Sequence, residues 1–430
     1  MSGNSWAREK LKGFSTKCPG LLRFYRRSRE DVKRKQFATL QRENPVDEKL
    51  VVFESFWGKS YNCSPKAIYE GMLRDKRYDD YHFIWSFQDT QAHRQLLENP
   101  RTRLVQRNSK EYEMAFAKAK IWIYNMSVPE YMEPSKNQIY VETWHGTPLK
   151  RVGCDIIYGS DCRRSRQETI AAFEKKGAKV DYLLSPSVFY DEVITSAFGL
   201  KKSGNEAAVV PTGYPRNDYL YHYSLDDLRQ IKERLEIPEN KKTLLYTPTW
   251  RENQYQSQGG FASHMEIDLN ELFRILGNDY VLLYRAHHHI STYDWKQEWE
   301  GRVIDVTGVE DVNELYIISD MLITDYSSVF FDFSITRKPI VLFMYDYDAY
   351  MAERGMYMDV RDLPFRKIYT MNEMLAYLHE NDKQADVNSA AYDAYYKMFT
   401  NYDAPDNIQN LNDMLFYGKA PKFEVIDYAE

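Results

Sequence analysis

The 430-residue sequence lacks the features that mark several large classes of protein. Its four cysteines, at positions 18, 63, 154 and 162, form no CxxC pair and no metal-ligand spacing, which is typical of unbridged thiols in a reducing compartment rather than of a secreted protein. No apolar run reaches the roughly 18 residues that span a bilayer, and no signal-peptide core is visible. GxGxxG, Walker lysine, HExxH and GxSxG motifs are absent. Dehydrogenase, P-loop kinase, metalloprotease and α/β-hydrolase functions are therefore disfavoured.

Basic charge is concentrated at one end of a chain that is acidic elsewhere. Residues 1–36 contain eleven Lys or Arg and three Asp or Glu, a net charge of +8, whereas the whole chain has a formal net charge of −6. Because this segment also carries Trp, Leu, Phe and Tyr, we predict that residues 1–36 form a basic amphipathic tail on an anionic membrane surface. A solvated extension or an RNA-binding arm is the alternative. The acidic remainder argues against nucleic acid as the main partner, because phosphate backbones require a broad cationic footprint.

Apolar segments that alternate with helical patterns indicate a doubly wound α/β fold with parallel sheets. KLVVFESF at 49–56 is a strand pattern, and a helix follows it with Ser64 as the expected N-cap and Pro65 at its first position. Further strand patterns lie at 81–87, 103–108, 121–126 and 138–144, and, after a turn-rich passage at 209–218, at 243–250, 279–289, 302–307, 320–328 and 339–345. We expect two facing nucleotide-binding-type domains of about five or six strands each, at 37–215 and 216–430, with a cleft between them.

A histidine directly follows one of the predicted strands. Ligands of open α/β sheets bind beyond the carboxyl ends of the strands, and His145 stands there in VETWHGTPLKRVG, residues 141–153. Its ordinary pKa of about 6.5 suits it to accept a proton from an attacking hydroxyl. A hydrogen-bonded histidine that merely ends the strand is the alternative.

The segment LITDYSSVFFDF, residues 322–333, ends a second strand and opens a helix. The first turn of a helix offers unpaired backbone N–H groups, and the hydroxyls of Ser327 and Ser328 add hydrogen-bond donors. We predict a phosphate site here, well suited to a diphosphate. An ordinary helix cap made by Ser327 or Asp325 is the alternative.

A third strand ends in YRAHHHI, residues 284–290. Arg285 and a neighbouring histidine can neutralise a diphosphate and stabilise charge on a departing nucleotide. Three contiguous histidines lack the spacing that would let them ligate one metal ion together, so this segment does not favour a zinc site. At least one of His287, His288 and His289 is expected to be an ordinary surface residue.

Two further arginines lie in turn-forming segments that follow runs of apolar residues. Arg216 lies in PTGYPRND, residues 211–218, and Arg251 lies in YTPTWRE, residues 246–252. Either guanidinium could orient an anionic ligand or help to close a cleft. A loop arginine paired with Asp or Glu is an equally good interpretation of each.

Six blocks of the sequence, in order, resemble those of one family. The blocks are FESFWGKSYNCSPKAIYE (53–70), ETWHGTPLKRVGCD (142–155), PTGYPRND (211–218), LYTPTWRE (245–252), YRAHH (284–288) and LITDYSSVFFDF (322–333). They resemble the CDP-glycerol glycerophosphotransferase family, the bacterial teichoic acid primases and polymerases, over about residues 50–350. The resemblance implies two Rossmann-like domains of the GT-B type. It also implies metal-independent transfer of a polyol phosphate from CDP-glycerol or CDP-ribitol to a hydroxyl of a lipid-linked glycan acceptor, with release of CMP.

The resemblance also implies roles for individual residues. His145 matches the histidine assigned as base, and His287 matches the histidine assigned to the donor phosphates. The residues expected on the donor side are Arg251, Arg285, Thr324, Asp325, Ser327 and Ser328, and those expected at the acceptor or in the cleft are Trp144, Gly146, Thr147 and Arg216. His288 stands where family members often have Pro, which leaves open which histidine faces the donor. No cofactor is implied, and a lipid-linked acceptor places the enzyme peripherally on the cytoplasmic face of the membrane.

Other functions fit the same architecture. A nucleotide-sugar glycosyltransferase or epimerase shares this type of fold, because architecture alone does not fix the donor. A membrane-bound glycan-binding scaffold with an inactive site is the alternative outside enzymes. The sequence leaves open glycerol against ribitol, although glycerol is favoured, and leaves open single-unit transfer against polymerisation.

Overall fold

The computed structural model of the chain describes residues 19–157, 165–249, 251, 255–256, 260–261, 265–286, 299–353, 355–380 and 386–418. In chain order the strands are β1 (Asp47–Glu54), β2 (His82–Phe87), β3 (Thr102–Gln106), β4 (Ala119–Tyr124), β5 (Ile139–Glu142), β6 (Tyr182–Leu184), β7 (Val209–Val210), β8 (Lys242–Thr247), β9 (Tyr255–Gln256), β10 (Gly260–Phe261), β11 (Tyr280–Tyr284), β12 (Val303–Asp305), β13 (Met321–Thr324), β14 (Ile340–Phe343) and β15 (Arg366–Ile368).

Helices connect most of these strands and continue beyond the last one. They are α1 (Pro19–Glu43), α2 (Cys63–Arg74), α3 (Lys110–Lys118), α4 (Arg166–Gly177), α5 (Val188–Ala197), α6 (Leu200–Ser203), α7 (Asp218–His222), α8 (Leu225–Arg234), α9 (Leu269–Leu276), α10 (Val312–Ile318), α11 (Val329–Phe333), α12 (Tyr347–Glu353), α13 (Met371–His379), α14 (Ala390–Thr400) and α15 (Asn407–Tyr417). Across the described ranges, none of the helices combines the length and apolar character needed to cross a membrane.

The chain divides into two compact units, of which the first contains the described residues up to 60 together with 77–141. Its strands follow the order β3-β2-β1-β4-β5, and β1 pairs in parallel with both β2 and β4. Val52 and Phe53 on β1, Trp85 on β2 and Trp122 on β4 are fully buried. Strands of a parallel sheet are covered on both faces, which explains why their sequences are continuous runs of apolar residues.

The second half of α1 packs against the rest of the first unit. Phe37 is buried, with its ring edge-on to Trp122 at a centroid distance of 6.2 Å. The Gln41 side-chain amide donates hydrogen bonds to the Glu133 carbonyl and to Gln138 Oε1, each at 2.9 Å. The helix that carries part of the basic segment is therefore attached to the folded protein at its carboxyl-terminal end.

The second unit contains residues 61–76 and the described residues from 142 onward. Here β6 pairs in parallel with β7, and a six-stranded sheet has the order β12-β11-β8-β13-β14-β15 with every adjacent pair parallel. Tyr246 on β8 is in register with Tyr284 on β11, and Thr247 is in register with Thr324 on β13. The segments that follow β8, β11 and β13 therefore leave the same edge of this sheet.

The predicted parallel α/β fold is confirmed, and each predicted strand segment contains a strand. The strands that were not predicted are β6, β7, β9, β10 and β15, which have only two or three residues and so show no periodicity. The expected start of α2 at Ser64 is wrong, because the N-cap is Asn62, whose carbonyl accepts the Lys66 N–H. Pro65 consequently stands at the third helical position, where a missing N–H is still harmless. The expected domain boundary at 215 and the GT-B arrangement stay predictions.

Candidate active site

His145 lies three residues beyond the end of β5, within the second unit. It is partly buried, and its ring stacks on the preceding Trp144 with centroids 4.3 Å apart. Trp144 itself is buried and has a φ of 53°, in the left-handed region that non-glycine residues seldom adopt. The loop therefore presents the histidine from a constrained backbone rather than from a flexible turn.

The next residue, Gly146, brings three of the sequence blocks together. Its φ is +149°, and a Cβ placed on it would lie 3.7 Å from Ser328 Oγ and 4.0 Å from Arg216 Nη2. The neighbouring Thr147 is buried. The second unit thus places the histidine loop beside the serine loop after β13 and beside the arginine of PTGYPRND.

Arg216 is buried and forms an ion pair with Asp332 on α11. Its Nη2 donates to the two carboxylate oxygens at 2.8 and 3.1 Å, and its guanidinium lies 4.1 Å from the centre of the Tyr214 ring. Asn217 donates to the same carboxylate at 3.3 Å. The pairing raises the pKa of Arg216 further above its usual range, against the opposing effect of burial. Arg216 is therefore a paired loop arginine, the second of the two interpretations of its sequence block, with its guanidinium still close to Gly146.

Arg251 is likewise buried and makes ion pairs with two carboxylates. It donates to Asp325 Oδ2 at 2.9 Å and to both oxygens of Asp346 at 2.7 and 3.0 Å. Its guanidinium also lies over the Tyr350 ring at 4.6 Å. This arginine joins the segments that follow β8, β13 and β14, so its observed contacts hold loops together.

The TDYSS segment divides into an inner and an outer part. Thr324 is buried and donates to the Thr247 carbonyl at 2.8 Å, and Asp325 Oδ1 accepts the Thr249 N–H at 2.8 Å. Ser327 and Ser328 are partly exposed, and Ser328 is the N-cap of α11 without a capping bond from its side chain. Thr324 and Asp325 are thus engaged within the protein, whereas the two serines are the members of this segment placed to meet a ligand.

Arg285 follows β11 and is partly buried. Its Nη1 donates to the carbonyls of Val306 at 3.0 Å and Val309 at 2.7 Å, and burial lowers its pKa. The carbonyls do not neutralise the guanidinium, and the carboxylates of Asp311 and Asp305 act on its charge from nearby. His287, His288 and His289 lie outside the described residues, so the assignment of His287 to the donor stays a prediction.

The electrostatic surroundings of His145 keep its ring neutral. Burial and then the positive charges of Lys176 and Arg216 lower its pKa to about 3. A neutral imidazole has a free lone pair on one nitrogen and can accept a proton. The site thus supplies the protonation state that a general base requires at neutral pH.

Several side chains in this region were not predicted from the sequence. Asp332 and Asp346 are the partners of the two arginines, and they lie 116 and 95 residues away along the chain. Glu142 and Lys176 form a buried ion pair beneath Trp144. Glu142 belongs to the sequence block ETWHGTP, and this position was the only feature of the sequence that could have identified it. No feature of the sequence identifies Lys176.

A cavity of about 870 Å³ lies beside Arg216 in the second unit. Its walls come from α2, α7 and the residues around the starts of α10 and α15. The charged side chains of the lining are Lys66, Arg74, Lys76, Arg216, Glu70, Asp75, Asp218, Asp311, Glu314 and Asp406. Because carboxylates outnumber cations in this lining, the cavity is poorly suited to a polyanion.

Comparison with known proteins identifies the family. The model for CDP-Glycerol:Poly(glycerophosphate) glycerophosphotransferase matches residues 36–417, and this chain belongs to that family. The resemblance inferred from six sequence blocks is confirmed.

Two curated relatives and one solved structure show how far the similarity extends. The teichoic acid poly(glycerol phosphate) polymerase of Staphylococcus epidermidis is 38% identical over 392 residues, which cover 90% of this chain and 53% of that protein. The protein of the same name from Bacillus spizizenii is 36% identical over 356 residues, 82% of this chain and 89% of that one. A structure of the wall teichoic acid polymerase TagF with CDPG is 35% identical and covers 95% of this chain and 98% of that chain, with a TM-score of 0.80. The chain thus spans about half the length of the Staphylococcus epidermidis relative.

Proposed function

We propose that this protein transfers glycerol phosphate from CDP-glycerol to a hydroxyl of a lipid-linked glycan acceptor and releases CMP, in the synthesis of teichoic acid or a related cell-surface polymer. The observation that carries the proposal is the approach of Gly146, next to His145, to Ser328 and Arg216. Family membership supports the class of reaction, and the names of the two curated relatives favour glycerol over ribitol. The TagF structure with CDPG supports CDP-glycerol as the donor.

The proposed reaction exchanges one phosphorus–oxygen bond for another. His145 takes the proton of the acceptor hydroxyl, and the acceptor oxygen attacks the phosphorus that carries the glycerol. The bond from this phosphorus to the CMP oxygen breaks, and the bonding electrons leave with CMP. Ser327, Ser328 and Arg285 hold the donor phosphates, together with His287 as the family resemblance implies. Positioning and electrostatic stabilisation account for most of the catalysis in phosphoryl-group transfer.

Donor binding is expected to adjust the basicity of His145. Without a ligand, burial and two cations lower the pKa of His145 to about 3, which makes it a weak base. A donor diphosphate near Ser328 brings negative charge that favours the protonated ring and raises this pKa. We therefore propose that His145 becomes an effective base only when the donor is in place.

The first test is CMP release by the purified protein with CDP-glycerol, CDP-ribitol and UDP-sugars in parallel, each with and without EDTA. The acceptor is a lipid-linked disaccharide, with and without a priming glycerol phosphate. We expect CMP from CDP-glycerol, at a rate unaffected by EDTA. CMP from CDP-ribitol alone would reassign the polyol, and UDP from a UDP-sugar would make the protein a glycosyltransferase. No nucleotide from any donor would favour the glycan-binding scaffold.

We further propose that the basic segment holds the protein at the cytoplasmic face of the membrane. Residues 1–27 contain seven Lys or Arg against one Glu. A deletion that ends at residue 27 keeps the attached half of α1, which contains the Arg34–Glu133 ion pair and Phe37. Removal of residues 1–27 is expected to abolish co-sedimentation with vesicles containing anionic lipid, because each basic residue near such a surface contributes about 1 kcal/mol.

The control for this deletion is CMP release with a water-soluble acceptor, which should continue at the rate of the full chain. Sedimentation of the full chain should also weaken as salt is added, since screening acts on the same attraction. Unchanged sedimentation of the shortened protein would refute the membrane role of this segment.

A further inference from the structure

Glu142 and Lys176 form a buried ion pair directly beneath the candidate catalytic loop. Glu142, the last residue of β5, is fully buried, and its Oε2 contacts Lys176 Nζ on α4. The Lys176 side chain is only 10% exposed. Burial raises the pKa of Glu142 and lowers that of Lys176, so each group depends on the other to remain charged.

The same pair contacts Trp144 from two sides. Glu142 Oε1 accepts the backbone N–H of Trp144 at 3.1 Å, and Lys176 Nζ lies 5.3 Å from the centre of the Trp144 ring. Phe198 meets that ring edge-on at a centroid distance of 5.4 Å. One backbone hydrogen bond and packing on the indole thus act on a residue whose φ of 53° is sterically unfavourable without such support.

We propose that Glu142 and Lys176 are positioning residues that hold Trp144 in its left-handed conformation and thereby fix the orientation of the His145 ring stacked on it. A buried ion pair is costly to desolvate and is seldom the most stable choice for a core. An apolar pair at these positions could pack under the indole but could not accept the Trp144 N–H. The proposal rests on the proposed role of His145 as base.

The charges of the pair also face His145. Among the described residues, Lys176 on α4 and Arg216 after β7 act on the imidazole with their positive charges, and Glu142 on β5 is the ion-pair partner of Lys176. Replacing Lys176 by methionine removes one of the cations that act on the imidazole, which favours a protonated His145. The buried Glu142 carboxyl, deprived of its cation, then takes up a proton and becomes neutral.

The test compares Lys176→Met, Glu142→Gln and the double variant with wild type. We expect Lys176→Met to lower kcat for CMP release by about 100-fold, the effect of a small misplacement of a catalytic group. The KM for CDP-glycerol should stay within about 3-fold, because Lys176 contacts Glu142, Trp144 and Phe198, which are not proposed to bind the donor. A change in kcat alone reports the transition state. The double variant should recover at least about 10-fold of the lost rate, since glutamine can still accept the Trp144 N–H and no unpaired carboxylate remains.

A readout independent of turnover is the NMR titration of His145, assigned by comparison with His145→Asn. In Lys176→Met its pKa should rise by about one unit or more, and in the double variant it should rise similarly, because both variants lack the Lys176 cation. The matched control is Lys202→Met, which removes the lysine of the exposed Lys202–Glu174 pair next to the same helix. This control should change neither kcat nor the titration.

The outcomes separate the two proposals. If wild type is active and Lys176→Met behaves like Lys202→Met in both kcat and the His145 titration, the positioning role is wrong. If wild type releases no CMP, the proposed function fails, while the titration still tests the pair. If Lys176→Met does not fold, Glu142→Gln and the double variant carry the same test, because glutamine is nearly isosteric with glutamate.

Discussion

Replacement of His145 by asparagine is expected to lower kcat for CMP release by about 10²- to 10⁴-fold, the usual contribution of a general base. Asparagine retains a polar side chain of similar length but cannot accept a proton from the attacking hydroxyl. The donor KM should change little, because His145 is proposed to act on the acceptor. The measurement is steady-state CMP release with saturating acceptor.

The pH dependence of the wild-type enzyme provides a second measurement on the same residue. A base works only when deprotonated, so activity is lost as the pH falls through its pKa. Because the pKa of His145 is about 3 without ligand, it should produce no acid limb in kcat/KM between about pH 5 and pH 7. With the donor bound, the acid limb of kcat should lie at higher pH, since the diphosphate favours the protonated ring.

The control for this histidine is His82→Asn, at the exposed start of β2 in the first unit. It should leave kcat and its pH profile unchanged. If His145→Asn keeps more than a tenth of the wild-type rate while His82→Asn is normal, His145 is not the base.

Replacement of Arg251 by methionine is expected to destabilise the second unit by about 3–5 kcal/mol, because removing one partner of a buried ion pair leaves an uncompensated charge. Here two carboxylates, Asp325 and Asp346, would lose their common cation, and Asp325 is buried. Methionine keeps an apolar stem for the contact with Tyr350. The measurements are the midpoint of urea unfolding and the melting temperature.

The matched control for this arginine is Arg361→Met, which breaks the exposed pair with Asp359. Surface pairs contribute about 0–1 kcal/mol, so its unfolding midpoint should stay close to that of wild type. Arg251→Lys should fall between wild type and Arg251→Met, since it retains the charge but not the planar fork. If Arg251→Met were as stable as Arg361→Met and instead raised the donor KM, the role of Arg251 would be to bind the ligand.

The sequence was sufficient to predict the parallel sheets because their strands are buried on both faces. LLYT on β8 and LITD at the end of β13 are runs of apolar residues that end in polar ones. This pattern is typical of a buried strand followed by a polar loop. The two-residue β7 has no periodicity and was not predicted. Tertiary context alone makes it a strand, through its pairing with β6.

Prediction of the site was limited in a different way. The position of His145 beyond β5 and of the serines beyond β13 follows from strand ends, which local sequence reveals. The partners of Arg216 and Arg251 cannot be found from local sequence. Asp332 and Asp346 are distant from them in the chain, and acidic residues are common throughout it. From the sequence, an ion pair was an equally good interpretation of each arginine. Only the structure shows that both arginines form ion pairs.

The register of β8, β11 and β13 has a consequence for how such proteins diverge. The polar segments leave one edge of the sheet side by side, and the hydrogen-bonded strands behind them contribute apolar side chains to the core. Substitutions in these segments can therefore change the polar side chains at this edge of the sheet while the scaffold continues to fold. Because Arg251 and Asp325 join neighbouring segments, such changes are expected to accumulate as compensating sets, in which a replacement after one strand selects for a second after another.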